Sequence, residues 1–185
     1  MNTIMPFDEL NALRTELPAY FENGKIANEA AVEEIIDSLL DIFIMSYVMG
    51  VENTNTQLAS NVQPTIDEMI ETVDKKVAGK TWRERVRDYY ENGGSVDDIL
   101  RIAETEAHRD SNEAAFRTAK AAGATKKVWN TVGDDRVRDT HLYLDGVSVP
   151  IDGEFYSFRG GSTQYPGQWG IAEEDVNCRC WLTYK

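Results

Sequence analysis

An apolar stripe with the period of an α-helix constrains the fold of this chain more than any other feature. Apolar residues recur every three or four positions from Val32 to Val51, over about five helical turns. Ile42, Met45 and Met49 widen this stripe beyond the width that one neighbouring helix covers. The pattern therefore predicts a helix that lies centrally in a bundle or is covered by a partner.

Three further helices are predicted from apolar periodicity together with residues that begin or end helices. Thr81 with Glu84, and Ser95 with Asp98, have the spacing of a capping box, in which each side chain bonds the backbone N–H of the other residue. Glycine, a common residue just after a helix, follows each of the three segments. The predicted spans are 64–79, 81–90 and 95–123.

The character of the sequence changes at Thr125, where helical periodicity gives way to alternation, Asp-Gly pairs and a glycine-rich loop. The predicted segments are a strand at 126–132, a short helix or turn at 134–142, a tight hairpin at 144–147, extended structure at 149–158 and a strand at 178–184. We therefore predict an α+β fold that is mainly α. A helical region spans residues 1–124, and a compact α+β module follows at 125–185.

Charge and hydropathy exclude several classes of protein. The chain has 19 Lys and Arg against 32 Asp and Glu, a net charge of −13, and so acidic a surface repels phosphate backbones. We therefore expect no strong direct binding to nucleic acid. The most apolar stretch, 35–51, is short for a bilayer and carries Asp37 and Asp41, so we expect no membrane insertion. The amino-terminal residues lack the pattern of a signal peptide, which predicts synthesis in a reducing cytoplasm.

Familiar catalytic signatures are missing from the sequence. It contains no His-Glu-x-x-His, no glycine triplet of the dinucleotide-binding type and no Gly-x-Ser-x-Gly. Its two histidines leave little material for acid–base chemistry. His108 lies in the fourth predicted helix, where we expect a partly exposed residue paired with a neighbouring acid rather than a ligand or base.

His141, Cys178 and Cys180 form the candidate metal site. On a strand, Cys178 and Cys180 share one face, and a nearby imidazole would let two thiolates and a ring nitrogen converge on zinc. Asp135 or Asp139 is the candidate fourth ligand. The alternative is a small buried polar cluster, in which the thiols pack as small apolar groups and the imidazole bonds an acid or a carbonyl.

Several motifs appear in a recognisable order along the last part of the chain. A helical Thr-Glu-x-x-Arg ending at Arg109 precedes an alanine-rich stretch, which is followed by Lys-Val-Trp-Asn-Thr at 127–131. The block Asp-Arg-Val-Arg-x-x-His at 135–141 and the terminal Asn-Cys-Arg-Cys at 177–180 are the most specific. Over about residues 100–185 the chain resembles the Mu F-like head morphogenesis family, the minor head proteins of tailed bacteriophages.

The resemblance implies a virion component rather than an enzyme. Members of this family are made in the host cytoplasm and associate with the portal protein and other capsid proteins. They lie in few copies in the capsid interior near the portal, where they act in head morphogenesis, DNA packaging or DNA ejection. Some longer relatives carry toxin domains after this module, and we expect none in the five residues after Cys180. The helical region would then bind the portal or another partner, or self-associate.

A structural network is the role we expect for the polar residues of the module. Arginine braces carboxylates from separate loops through two parallel hydrogen bonds, and Arg136 in particular is expected to lie in a desolvated network. The residues of this predicted network are Asp134, Asp135, Arg136, Arg138, Asp139, His141, Asn177, Cys178, Arg179 and Cys180. Two alternatives remain: a prophage-encoded interaction module or toxin-system accessory, and a metal-dependent hydrolase centred on the candidate metal site.

Overall fold

Helices make up most of the first two thirds of the chain, as predicted, and the α+β, mainly α, fold class is confirmed. The computed structural model describes residues 6–185, so residues 1–5, on which part of the signal-peptide prediction rests, lie outside it. Within the described residues, no helix is both long and apolar enough to cross a membrane. The helices are α1 (Phe7–Glu16), α2 (Glu29–Leu58), α3 (Ile66–Val73), α4 (Trp82–Asn92), α5 (Val96–Ala121), α6 (Asp139–Leu142) and α7 (Ala172–Asp175).

Short antiparallel strands make three small sheets. The largest has the order β4-β3-β7, with Trp129 of β3 opposite Leu182 of β7. The other two are two-stranded, β1 with β2 and β5 with β6. The strands are β1 (Phe21–Glu22), β2 (Lys25–Ile26), β3 (Lys126–Asn130), β4 (Ser148–Pro150), β5 (Phe155–Tyr156), β6 (Ser162–Thr163) and β7 (Trp181–Tyr184).

Side-chain caps explain where the long helices begin. The side chain of Asn28 accepts the backbone N–H of Ala31 at the start of α2. Complete capping boxes begin α4, with Thr81 and Glu84, and α5, with Ser95. The capping signals in the sequence are therefore confirmed.

The packing of α2 against α5 organises the helical part of the molecule. The apolar stripe of α2 is buried in a core that α1, α4 and the first half of α5 share, with Ile35, Leu39 and Phe43 fully enclosed. At Gly50 the two helices approach so closely that an added Cβ would meet the backbone carbonyl of Ser111. The predicted central helix is therefore present, and most of its stripe is covered from within the chain.

A second core lies under the three-stranded sheet. Trp129 packs edge-on against Phe155, with the ring centroids 5.0 Å apart. Phe116 and Ala119 from the second half of α5 belong to the same cluster. Because α5 contributes to both cores, the division of the chain at residues 124 and 125 follows the change from helices to strands and remains a prediction.

Three local predictions were wrong. Helix α3 ends at Val73, since Asp74 already leaves the helical conformation with φ −91° and ψ 15°. Ala78 and Gly79 then adopt positive φ angles in a small bridge between Val77 and Lys80. Segment 144–147 is not a tight hairpin between strands, since the N–H of Gly146 donates to the carbonyl of Trp129 and β4 begins only afterwards. The last strand begins at Trp181, so both cysteines precede it.

Lys127 is an unusual component of the second core. Its side chain is fully buried, its ammonium lies 4.4 Å from the centroid of the Phe116 ring, and it has no hydrogen-bond partner among the described residues. Burial lowers the pKa of Lys127 to about 8. The folded state therefore disfavours the charged amine.

We expect Lys127→Met to raise the free energy of unfolding by about 1–2 kcal/mol at pH 7, because it removes the cost of burying an ammonium group. The gain is not larger because the contact of the ammonium with the Phe116 ring already offsets part of that cost. The gain should be full below pH 8 and shrink as the pH rises toward the ordinary lysine value near 10.5, where the unfolded chain also loses its proton. Chemical denaturation at pH 7 and pH 10 measures this difference. Lys126→Met, at an exposed position, is the matched control, and an equal gain there would contradict the explanation.

Candidate functional site

The structure brings His141, Cys178 and Cys180 together. His141 lies on α6, and both cysteines lie in the segment between α7 and β7. Nδ1 of His141 is 3.6 Å from Sγ of Cys178 and 3.5 Å from Sγ of Cys180. All three side chains are buried, with exposed fractions of 1%, 5% and 2%. The arrangement places one ring nitrogen against two sulfurs in a desolvated position.

The other ring nitrogen of His141 faces a buried carboxylate. Nε2 lies 3.1 Å from Oε2 of Glu174, as a close contact rather than a well-aligned hydrogen bond. The hydroxyls of Thr140 and Ser157 donate to Glu174 at 2.7 and 2.9 Å. Because an ionised carboxylate only accepts hydrogen bonds, this contact favours the tautomer with the proton on Nε2 and a lone pair on Nδ1.

Aromatic rings fix the orientation of the imidazole. The ring of His141 stacks on Trp169, with centroids 5.9 Å apart and an angle of 17° between the planes. Trp129 meets the imidazole edge-on at 5.6 Å. Asp175 holds the loop that carries Trp169, since its carboxylate accepts the N–H groups of Trp169 and Gly170 at 3.0 and 2.8 Å. Burial raises the pKa of Asp175.

Each thiol changes the acidity of the other. A hydrogen bond with Cys180, together with burial, raises the pKa of Cys178 well above its ordinary value. The same hydrogen bond lowers the pKa of Cys180. Cys180 is therefore the more acidic thiol of the pair, and the thiolate is the form that binds metals.

A small cavity opens beside the three residues. Its volume is about 200 Å³, including space that is open to solvent. It is lined by Arg136, Val137, Arg138, His141, Asn177, Cys178, Arg179 and Cys180. Three arginines therefore surround the outer side of the cluster, so water or an anion is the species best suited to enter.

Some of the predicted network residues are joined, but at the surface. Arg179 binds Asp134 through two parallel hydrogen bonds of 2.7 and 2.6 Å, with both side chains more than a third exposed. Arg138 donates to the backbone carbonyl of Val176. The expectation that Arg136 is desolvated was wrong, because its side chain is exposed and its backbone N–H bonds Asp134.

Asp135 and Asp139 do not reach the candidate metal site. Both are exposed, and among the described residues the cluster whose ligand atoms lie within 4.8 Å of one another contains only the histidine and the two cysteines. Asn177 instead has a backbone role, since its φ of 57° places it in the left-handed region that redirects the chain immediately before Cys178. The described chain therefore supplies three ligands.

The expectation that His108 is partly exposed was wrong. It is 2% exposed, and Nε2 lies 2.7 Å from the backbone carbonyl oxygen of Cys180. Asn112, one turn later on α5, donates to the carbonyl of His108 at 3.0 Å. Burial lowers the pKa of His108 to about 4. A neutral imidazole therefore holds the cysteine segment against α5.

Sequence reasoning missed a group of buried charges on α5. We call Lys75, Glu106, Arg109, Asp110 and Glu113 the buried charge cluster; its four members on α5 are each at most 3% exposed. Arg109 lies 2.5 Å from Glu106 and 2.7 Å from Asp110, and Lys75 lies 2.9 Å from Glu113. The Thr-Glu-x-x-Arg motif places Glu106 and Arg109 one turn apart, and that spacing was the available signal.

The buried charge cluster joins three parts of the fold. Arg109 donates to the carbonyl of Thr72, the last residue but one of α3, at 3.0 Å. Lys75 donates to the hydroxyl of Tyr165 at 3.2 Å, and the neighbouring Gly167 packs against the backbone of Arg109. Burial raises the pKa of Asp110 well above its ordinary value.

The same region of the chain decides its relationship to known proteins. Residues 54–183, which include the buried charge cluster and the candidate metal site, match the family model described as Phage Mu protein F like protein. The chain belongs to this family. The resemblance inferred from the motifs at 135–141 and 177–180 is therefore confirmed, and the matched segment begins earlier than those motifs indicated, within α2.

Two known proteins show what the chain is similar to. It is 35% identical over 147 residues to the NAD(+)–arginine ADP-ribosyltransferase EFV of Enterococcus faecalis, covering 72% of this chain and 30% of that protein. It is 41% identical over 87 residues to the minor head protein GP7 of Bacillus phage SPP1, covering 44% of this chain and 28% of that protein. The chain thus spans less than a third of either relative. No solved structure matches it.

Proposed function

We propose that this protein is a structural component of a phage head that associates with the portal in the capsid interior and acts in head morphogenesis, DNA packaging or ejection. The match of residues 54–183 to the Mu F-like family carries the proposal. The identity of 41% to a minor head protein supports it. The net charge of −13 also suits a protein that lies near packaged DNA without adhering to it.

The surroundings of the candidate metal site support a structural rather than a catalytic role. The cavity beside it is lined by three arginines, a valine and an asparagine in addition to His141, Cys178 and Cys180. No carboxylate is among these lining residues. Glu174, the nearby buried acid, lies on the far ring nitrogen of His141 and is already bonded by two hydroxyls. The site therefore lacks a carboxylate that could act as a general base in the cavity, and His141 directs its Nδ1 at the two sulfurs, which counts against the hydrolase alternative.

Helix α3 offers the apolar surface that we assign to portal contact. Ile66 and Ile70 are 71% and 51% exposed and lie one turn apart on the same helix. Within the helical region, Met45 and Val48 on α2 are also exposed. Large exposed apolar side chains on successive turns of a helix are typical of a face that binds a protein partner.

Co-expression with the portal protein encoded by the same phage or prophage tests the proposal. We expect the two proteins to elute together on size exclusion, and we expect Ile66→Asp with Ile70→Asp to weaken their association at least tenfold. Tyr156→Asp, which changes an exposed aromatic residue outside the helical region, is the matched control and should leave association unchanged. Separate elution of the unaltered proteins would contradict portal association.

A second candidate function is ADP-ribosyl transfer to arginine, the activity in the name of EFV. The identity of 35% to EFV over 72% of this chain favours it. Incubation of the purified chain with labelled NAD⁺ and an arginine-containing acceptor distinguishes the two. Our proposal predicts no transfer of label above a sample without protein. Transfer that rises with protein concentration would instead assign this chain an enzymatic role.

A further inference from the structure

The geometry points to a zinc site formed by His141, Cys178 and Cys180, with a fourth, exchangeable ligand on the side of the cavity. Tetrahedral zinc has bonds of about 2.3 Å to sulfur and about 2.0–2.1 Å to imidazole nitrogen, which place a ligand sulfur and a ligand nitrogen about 3.5–3.6 Å apart. The two Sγ–Nδ1 distances are 3.6 and 3.5 Å. All three ligand atoms lie within 4.8 Å of one another.

Thiol hydrogen bonds alone would use the lone pair of Nδ1 for only one of the two sulfurs. The contact with Glu174 favours a proton on Nε2 of His141, so Nδ1 presents one lone pair. Two sulfurs approach that single lone pair at nearly equal distances, although it accepts only one proton well. A divalent cation between the three atoms binds both sulfurs as thiolates and uses the lone pair of Nδ1. The three ligand atoms therefore suit a cation, which would use both sulfurs and the lone pair together.

Glu174 completes the arrangement from behind the imidazole. Histidines that bind zinc usually direct the other ring nitrogen at a carboxylate or a carbonyl, which fixes the ring and increases its basicity. Glu174 is fully buried and is held by Thr140 and Ser157. We therefore assign Glu174 as a positioning residue that acts through His141.

The fourth ligand must come from outside the cluster. Asp135 and Asp139 are exposed and do not belong to it. The cavity lined by Arg136, Arg138 and Arg179 lies against the ligand atoms, and a water molecule is the ligand that its size admits. With three protein ligands on two segments far apart in sequence, the metal would fasten α6 to the segment before β7 and so stabilise the carboxyl-terminal module.

Metal analysis of the full chain tests this inference independently of the proposed function. We expect protein that is reduced, exposed to Zn²⁺ and dialysed free of excess metal to retain about one zinc per chain. Replacement by Co²⁺ should give a sulfur-to-cobalt charge-transfer band, which reports thiolate ligation directly. Less than a tenth of an equivalent of zinc, a cobalt spectrum without the charge-transfer band, or a Cys178–Cys180 disulfide formed in the presence of Zn²⁺ would each overturn the inference.

Variants locate the metal. Cys178→Ser with Cys180→Ser should abolish the cobalt charge-transfer band, whereas His141→Gln, which keeps both thiolates, should weaken the binding of zinc and cobalt at least tenfold. Glu174→Gln should keep the band but weaken zinc affinity about 10–100-fold. Asp135→Asn with Asp139→Asn is the matched control and should leave stoichiometry and affinity unchanged. Full zinc content in the double cysteine variant would overturn the assignment. If a variant fails to fold, the zinc content and cobalt spectrum of the unaltered chain still decide whether the site exists.

Discussion

Replacing Arg109 by methionine is expected to lower the free energy of unfolding by about 3–5 kcal/mol, because removing one partner leaves buried charge uncompensated. Arg109 is 3% exposed and lies between Glu106 and Asp110, which are 1% and 0% exposed. The variant also leaves the carbonyl of Thr72 without its guanidinium donor. Chemical denaturation monitored by circular dichroism measures the loss.

The pH dependence of that loss identifies its cause. In Arg109→Met the carboxyl of Asp110 loses its cation, so its pKa in the folded state, already raised by burial, rises further above the unfolded value. A carboxyl group whose pKa is raised in the folded state favours folding at low pH, and this contribution to stability is lost as the pH rises. The loss in free energy of unfolding caused by Arg109→Met should therefore be larger at pH 8 than at pH 5.

Arg101→Met, which removes an exposed pair with Asp98 on the same helix, should cost no more than about 1 kcal/mol. Equal losses for the two variants would contradict the buried charge cluster.

Gly50→Ala is expected to cost about 3 kcal/mol, although alanine favours helix formation by about 1 kcal/mol over glycine. The added Cβ would collide with the carbonyl oxygen of Ser111 and lie 3.0 Å from its carbonyl carbon, and backbone atoms of a packed helix cannot rotate away. Helices α2 and α5 would therefore have to separate at Gly50. The midpoint of chemical denaturation should fall accordingly.

Val48→Ala is the matched control for the helix contact. It lies on the same helix, two residues before Gly50, with 41% of its side chain exposed. A change there should stay within about 0.5 kcal/mol. A stabilised Gly50→Ala variant would show that helix propensity outweighs the close approach and that the packing of α2 on α5 is looser than described.

Local signals in the sequence predicted the helices well. The starts of α4 and α5 follow from Thr81 and Ser95, because a capping box is encoded within four residues. The end of α3 was less predictable, since the helix stops at Asp74 without a glycine or proline to signal it, and the turn at Ala78 lies in a residue that carries no strong turn preference. The Asp-Gly pair ending at Gly146 predicted a hairpin. In the structure the backbone N–H of Gly146 instead donates to the carbonyl of Trp129 in β3, a contact that sequence spacing does not reveal.

The candidate site was predicted in part because its ligands are rare residue types. Two cysteines and one of the two histidines in the chain were enough to suggest that His141, Cys178 and Cys180 meet. Glu174 was missed because a buried acid within a short acidic run has the same local pattern as an exposed one. Burial of Glu106 and Asp110 was missed for the same reason, since a charged residue on a long helix is usually solvated and only the tertiary fold encloses it.

The protein composition of purified particles tests the central claim most directly. Quantitative mass spectrometry of mature particles and of procapsids, from the phage or prophage that encodes this chain, gives its copy number relative to the portal and the major capsid protein. We predict that the chain is present in both, in a fixed ratio to the portal and far below the number of major capsid subunits. Its absence from both kinds of particle, while it accumulates in the infected cell, would contradict a structural role in the head.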